Sequence, residues 1–141
     1  MAKRKGANRH TQRILNLAIQ SLHIQKQFPQ FSHFVQGGWG LWKGFLQPRF
    51  SSPKYLVEVE YRLQLSPKVR VLSPVLHPRA VHLYANKNLC LYWPKEWIWK
   101  PDRLIAQTII PWTGSWLFFY EIWLDTDKWL GPSSHEYFPL K

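Results

Sequence analysis

The segment KYLVEVEYRL, at positions 54–63, restricts the fold of this chain more than any other part of the sequence. Every second residue from Tyr55 onward is apolar, while Glu58, Glu60 and Arg62 fall between the apolar positions. Strict alternation over this length predicts a β-strand with one buried and one solvated face. A sheet is therefore part of the fold.

Two neighbouring segments predict further strands. LWKGFLQP, at 41–48, is expected to form the first strand, and PKVRVLSP, at 67–74, a short third strand with proline at both ends. Turn residues between these segments favour consecutive antiparallel strands, which form a meander. We expect a fourth, less regular strand within HLYANKNLCLYWPKEW, at 82–97.

The N-terminal region predicts a helix over about 8–26. Ile14, Ala18 and Leu22 recur at i, i+4 and i+8 and form one apolar stripe. Pro29 is expected to stop this helix. The residues that could cap its start are Asn8 and Thr11. Residues 1–7 are expected to form a flexible basic tail ahead of one domain over 8–141.

Helices are also expected after Pro101. A first helix would run through DRLIAQTII until Pro111 interrupts it, and Thr113 or Ser115 would cap a second helix that ends near 125–127. WLFFYEIWL in that second helix is apolar nearly all round, so we expect it to be largely buried. The predicted class is α+β: an N-terminal helix, a four-stranded antiparallel meander and C-terminal helices.

The charge of the chain is uneven. The formal net charge is +11, no acidic residue occurs before Glu58, and nine Lys or Arg residues do. A basic half can bind nucleic acid or an acidic protein surface. The sequence lacks a helix-turn-helix, zinc-finger or RNP-type motif, so nucleic acid is not the favoured partner. With no evident signal peptide and no apolar run of membrane-spanning length, we expect a soluble cytoplasmic protein without membrane association.

Cys90 is the only cysteine of the chain. A single cysteine cannot form an internal disulfide or a cysteine zinc site. The six histidines show no metal-binding spacing, so no metal or other cofactor is expected. A lone cysteine is either a small buried apolar side chain or a nucleophile. The polar segment YANKN before Cys90 favours an exposed thiol. Because an orienting partner for a protease dyad and a resolving cysteine are not evident, an acyl-carrying thiol remains.

Three motifs in this region resemble the ubiquitin-conjugating (UBC-like) fold family. They are His82, eight residues before Cys90, the tripeptide LCL at 89–91, and WKP at 99–101. Over about 38–131 the chain is most similar to the small ubiquitin-conjugating-like proteins of type II CBASS antiphage operons of bacteria. The resemblance implies that Cys90 carries the C-terminus of a cGAS/DncV-like nucleotidyltransferase as a thioester. The acyl group would then pass to an amine of a target protein, which primes the cyclase.

The resemblance also implies roles for other residues. His82 would order the active-site loop rather than act as a general base, and Trp99 and Pro101 would shape that loop. The family's PN dipeptide has no counterpart after His82, where Leu83 and Tyr84 stand. The oxyanion donor could be a backbone N–H or one of two side-chain amides, those of Asn86 and Asn88.

Two alternatives to an enzyme remain open: a UBC-like scaffold that binds the cyclase without turnover, and a basic nucleic-acid-binding module. The first helix is a docking face in ubiquitin-conjugating enzymes, and its basic residues would meet an acidic partner. Those residues are Arg9, Arg13 and Lys26. His135 has no assignable role.

Overall fold

The computed structural model describes residues 15–132 of the 141-residue chain. Its elements are α1 (Leu17–Gln27), β1 (Ser32–Gln36), β2 (Trp39–Leu46), β3 (Tyr55–Arg62), β4 (Lys68–Ser73), a 3₁₀ helix (Ile105–Gln107) and α2 (Ile109–Thr126). The four strands form one antiparallel sheet in the order β1-β2-β3-β4. The α+β class and the meander predicted for a UBC-like fold are confirmed.

The alternation in β3 sorts its side chains between the two faces of the sheet as predicted. Tyr55, Val57, Val59 and Tyr61 are at most 3% exposed, and the residues between them are more accessible. The buried face meets α2 and the 3₁₀ helix in one apolar core. On the opposite face, Glu58 forms ion pairs with lysine on β2 and arginine on β4.

The assignment of strands differs from the prediction in two places. The segment expected as the first strand belongs to β2, and β1 precedes it as an edge strand whose five residues are all exposed. Because β1 has no buried face, it shows no hydrophobic alternation. The extended segment expected within 82–97 is not a strand of the sheet and contains only an isolated bridge between Leu83 and Leu89. A tight turn at Lys87, with φ of 71°, reverses the chain there.

The helix expected over 8–26 is shorter than predicted where the structure describes it. Asn16 is the N-cap of α1, and its side chain accepts a hydrogen bond from the Ile19 N–H at 2.9 Å. The stripe through Ala18 and Leu22 is wrong, because both residues are exposed. The buried residues of α1 are Leu17, Gln20, Ser21 and Ile24. Residues 1–14, with the predicted tail and the capping residues Asn8 and Thr11, lie outside the described range.

The C-terminal helices also begin at other residues than expected. The first is only a 3₁₀ turn, and α2 starts at Ile109, so Pro111 lies in its first turn, where a proline needs no N–H donor. Thr113 is not a cap, since its hydroxyl donates to the Ile109 carbonyl at 2.7 Å inside the helix. α2 ends at Thr126 and is largely buried. No helix within residues 15–132 is both long enough and apolar enough to cross a membrane.

Buried Gln20 ties α1 to the segment that leads into α2. Its side-chain amide is fully buried, donates to the Arg103 carbonyl at 2.7 Å and accepts from the Ile105 N–H at 3.0 Å. Both polar ends of a buried amide are thereby satisfied. Ahead of the helix, the Leu15 N–H donates to the Pro101 carbonyl at 3.1 Å. These contacts fix the chain that follows the cysteine-containing segment.

Candidate functional site

Residues 82–90 form a short hairpin, called here the Cys90 hairpin. Leu83 and Leu89 pair across it, the Tyr84 N–H donates to the Asn88 carbonyl, and the Cys90 N–H donates to the His82 carbonyl, each at 2.9 Å. The Leu89 N–H donates to the Val69 carbonyl, which fastens the hairpin to the outer edge of β4. Cys90 is therefore held by main-chain hydrogen bonds on a rigid support.

The hairpin register sorts its side chains into two faces. Alternate residues of a paired strand point to opposite sides. Leu89, 4% exposed, turns into the core. Tyr84, Asn88 and Cys90 share the other face, with Tyr84 opposite Asn88 and diagonal to Cys90. A diagonal neighbour is within reach of an aromatic side chain.

The carbonyl of His82 is the anchor of this hairpin. It accepts hydrogen bonds from the Cys90 N–H at 2.9 Å and from the Trp116 indole N–H on α2 at 3.2 Å. His82 takes a positive φ of 56° to do so, and its ring packs on Trp129 with centroids 4.6 Å apart. Burial lowers the pKa of the His82 imidazole, which favours the neutral ring. His82 therefore contacts its surroundings through its main-chain carbonyl and through the face of its ring.

The Cys90 thiol is half-buried. Burial raises its pKa, and a hydrogen bond from the Tyr84 hydroxyl acts in the opposite direction without cancelling the effect of burial. The neutral thiol therefore predominates at neutral pH, and the nucleophilic thiolate is a minor form.

This protonation state predicts slow alkylation at neutral pH. The rate of iodoacetamide reaction at Cys90 should rise with pH because only the thiolate reacts, and its midpoint should lie above about 8.5, the ordinary value for a thiol. The single cysteine makes the total alkylation rate a direct measurement. Glutathione under the same conditions is the reference. A midpoint at or below that of glutathione would contradict the prediction.

The two asparagines of the hairpin lie in different environments. Asn86 is exposed at the turn, and its side-chain oxygen accepts from the Asn88 N–H at 3.1 Å. Asn88 is 8% exposed and shares a face with Cys90. Asn86 therefore already uses its carbonyl oxygen to hold the turn.

An apolar groove of about 410 Å³ runs beside the hairpin. Its walls include Leu89 and Leu91, the two neighbours of Cys90 along the chain. Leu65 in the turn between β3 and β4, Lys68 at the start of β4, Tyr84 and Ile98 also line it. The groove thus borders the hairpin that carries Cys90, although Cys90 itself is not among its lining residues.

Aromatic side chains form part of the groove wall and connect it to the core, since Tyr92, Trp97 and Trp99 line it. The Trp97 ring lies 4.7 Å from both Tyr92 and Trp112, edge to face in each case. The Trp99 indole N–H donates to the Tyr61 hydroxyl at 3.4 Å, and the two rings are 5.4 Å apart. Such pairs stabilise beyond the area they bury. Trp99, like the carbonyl of Pro101, thus connects the segment after Cys90 to the core.

The basic residues expected at the docking face are only partly described. Lys26 is exposed in the last turn of α1. Arg9, Arg13 and His135 lie outside residues 15–132. Within that range, no group of three or more His, Cys, Asp or Glu side chains is arranged to hold a metal ion.

Tyr84 is a site residue that no sequence motif identifies. Together with Leu83 it only stands in place of the family's PN dipeptide after His82. The available signal was the spacing: a hairpin with its turn at Asn86 and Lys87 brings position 84 back beside position 90.

Comparison with known protein families identifies the family of this chain. A search of curated proteins gave no match. The family model for the Type II CBASS E2 protein matches residues 20–136, which include the whole sheet, the Cys90 hairpin and α2. A match over this much of a 141-residue chain establishes membership. The chain belongs to the Type II CBASS E2 proteins.

Proposed function

We propose that this protein is an acyl transferase of CBASS defence that carries the C-terminal carboxyl group of a cGAS/DncV-like nucleotidyltransferase on Cys90. The Cys90 sulfur attacks an activated C-terminal carbonyl, the activating group leaves, and a thioester forms. A target amine then attacks the same carbonyl, the thiolate leaves, and the amine gives up a proton. The single observation that carries the proposal is the only thiol of the chain, held by a rigid hairpin at the border of a groove.

The groove is the proposed seat of the nucleotidyltransferase tail. A C-terminal carbonyl has to reach Cys90, and both chain neighbours of that residue, Leu89 and Leu91, line the groove. Its volume of about 410 Å³ and its largely apolar walls suit a few residues of extended chain. Lys68 at the groove wall adds a cation that favours an acidic residue or a carboxylate in the tail.

The remaining predicted residues receive supporting roles in this proposal. The His82 carbonyl fixes the position of Cys90, and the His82 ring packs on Trp129, so this residue is proposed to act as a support rather than a base. Trp99 and Pro101 hold the segment after the cysteine against the core. Asn86 orders the turn, and Asn88 shares the face of the hairpin that carries Cys90.

The docking face is part of the proposal as well. Lys26 is exposed near the end of α1 and is proposed to act with Arg9 and Arg13 on an acidic surface of the partner. An activated donor is required throughout, because a free carboxylate does not form a thioester spontaneously.

The experiment uses a synthetic peptide thioester that ends in the nucleotidyltransferase's C-terminal residues. This reagent supplies the activated carbonyl without an activating enzyme. Mixing it with the protein is expected to add the mass of the acyl peptide to Cys90. The adduct should be cleaved by hydroxylamine, which distinguishes a thioester from a disulfide. Absence of any adduct at a large excess of reagent contradicts the proposed transfer.

A non-catalytic scaffold is the second candidate function, and the raised pKa of the Cys90 thiol is the observation that favours it. A scaffold requires no thiolate. It would bind the nucleotidyltransferase with equal affinity before and after alkylation of Cys90, and it would form no acyl adduct with the peptide thioester. Binding measured by calorimetry, together with the mass of the reaction product, separates the two functions.

A charge placed in the groove should impair loading without unfolding the chain. Ile98 lines the groove and is 66% exposed, so Ile98→Glu removes apolar contact with the tail and leaves the core intact. We expect the loading rate from the peptide thioester to fall about tenfold, as expected for loss of roughly 1.4 kcal/mol of binding. The matched control is Val75→Glu, because Val75 is 91% exposed and does not line this groove. Equal rates for the two variants would remove the groove from the proposal.

A further inference from the structure

We infer that the Tyr84 hydroxyl is the donor that stabilises the oxyanion formed at Cys90, in place of the asparagine that this chain lacks after His82. The inference rests on the proposed thioester chemistry and names one group that the chemistry needs. Both loading and transfer pass through a tetrahedral intermediate with negative charge on the former carbonyl oxygen. A donor close to the sulfur is required to hold that charge.

The hairpin register brings the Tyr84 side chain to the thiol. The bridge between Leu83 and Leu89 and the bond from the Tyr84 N–H to the Asn88 carbonyl place Tyr84 diagonal to Cys90 on the same face. Its side chain has the length to cross that diagonal. The Tyr84 hydroxyl lies close enough to the thiol to lower its pKa.

Tyr84 is both fixed and accessible. Its N–H and its carbonyl are used at the turn, by Asn88 and Lys87, each at 2.9 Å. Yet 47% of its surface is exposed and it lines the groove, so its ring borders the space proposed for the acyl tail. A donor with a fixed backbone beside the reacting sulfur needs little rearrangement during the reaction.

The two asparagines are weaker candidates on their contacts. Asn86 uses its side-chain oxygen to hold the turn, and it lies at the tip of the hairpin. Asn88 shares the face of Cys90, but it is 8% exposed. Tyr84 differs from both in that its side chain acts on the thiol, whose pKa it lowers, while 47% of its surface stays exposed along the groove.

The hydroxyl keeps its proton over the working range. Burial raises the pKa of Tyr84, and the nearby Cys90 and Tyr92 raise it further. Tyr84 therefore stays a neutral donor when the thiolate or an oxyanion forms beside it. The titratable side chains around the thiol are thus Tyr84 and, across the hairpin, His82. Tyr92 acts through its effect on the pKa of Tyr84.

The test compares Tyr84→Phe with Tyr120→Phe. Each change removes one hydroxyl and keeps the ring, and Tyr120, whose hydroxyl accepts from the His77 N–H at 2.8 Å, does not line the groove. Cys90 is loaded from the peptide thioester, and release of the acyl group to free lysine is followed in a single turnover. Tyr84→Phe should slow transfer roughly 100-fold per loaded molecule, as for loss of one oxyanion donor. Tyr120→Phe should transfer within about twofold of the unchanged protein.

A second readout does not depend on acyl transfer. In Tyr84→Phe the pH midpoint of iodoacetamide alkylation at Cys90 should move upward by about one pH unit, because the thiolate loses its donor. An unchanged midpoint together with unchanged transfer overturns the role of Tyr84. Slow transfer in Asn88→Ala together with normal transfer in Tyr84→Phe would overturn the role of Tyr84 and assign the oxyanion donor to the Asn88 side-chain amide. If the unchanged protein never loads but the midpoint still moves, the proposed function fails while the contact between Tyr84 and Cys90 stands.

Discussion

Replacement of Cys90 by alanine is expected to abolish the acyl adduct completely. The chain has one thiol, so no second cysteine can accept the acyl group. The fold should survive, because Cys90 is only half-buried and its structural contact is the main-chain bond to His82, which alanine retains. The measurement is intact-protein mass after reaction with the peptide thioester, with circular dichroism to verify folding.

The matched variant is Cys90→Ser, which keeps the size of the side chain and changes the nucleophile. An alcohol is a much weaker nucleophile than a thiolate, so loading should be far slower, and any product is an oxygen ester that resists thiol reagents. An adduct of unchanged yield in Cys90→Ala would mean that a lysine or the N-terminus accepts the acyl group, and the thioester mechanism would be wrong.

Substitution of Cys90 is expected to affect acyl transfer but not binding of the whole nucleotidyltransferase. The proposed docking residue Lys26 is on α1, whereas Cys90 is on the hairpin at the edge of β4. Cys90→Ala should therefore still co-purify with the nucleotidyltransferase while it forms no adduct. Loss of both together would place the cysteine in the binding surface itself.

The alternation in β3 was enough to predict the sheet, because one face of that strand is buried and the other is not. β1 could not be predicted from its sequence, because all five of its residues are exposed and no apolar alternation results. The start of α1 was misplaced because the stripe through Ala18 and Leu22 has helical spacing but faces water. Pro111 was taken as a helix breaker, although the first turn of a helix tolerates proline.

The candidate site, like the fold, can be predicted from the sequence only in part. The motif around Cys90 identified the cysteine and its histidine neighbour by position in the chain. The diagonal approach of Tyr84 depends on the register of a hairpin with an irregular turn, which spacing alone does not specify. The contacts of His82 with Trp116 and Trp129 join segments more than thirty residues apart, and no local sequence pattern predicts them.

A buried carboxylate on α2 is expected to contribute strongly to stability. Glu121 is 6% exposed within a largely apolar helix. One of its oxygens accepts from the Ser52 hydroxyl at 2.6 Å and pairs with the Arg49 guanidinium at 3.1 Å, and the other accepts from the Tyr55 hydroxyl at 2.9 Å. These bonds tie α2 to β3 and to the loop before it. Burial raises the pKa of Tyr55, so its hydroxyl remains a donor.

We expect Glu121→Ala to lower the free energy of unfolding by about 3 kcal/mol. The change leaves the Tyr55 and Ser52 hydroxyls without their acceptor in the protein interior, and each such loss costs roughly 1–3 kcal/mol. The Arg49 side chain is 42% exposed and can turn to water, so its lost partner adds little. Urea denaturation followed by tryptophan fluorescence gives the value.

The control for this position lies one turn further along the same helix. Asp125 is exposed, so Asp125→Ala should change stability by no more than about 0.5 kcal/mol. Glu121→Gln should fall between the two, because an amide keeps one acceptor oxygen but turns an N–H₂ group toward a donor. If Glu121→Ala and Asp125→Ala were equally stable, the carboxylate would be replaceable by water, and α2 would be held to the sheet by its aromatic contacts alone. The ordering of the three variants therefore tests whether this polar cluster or the surrounding core fixes the helix that anchors His82.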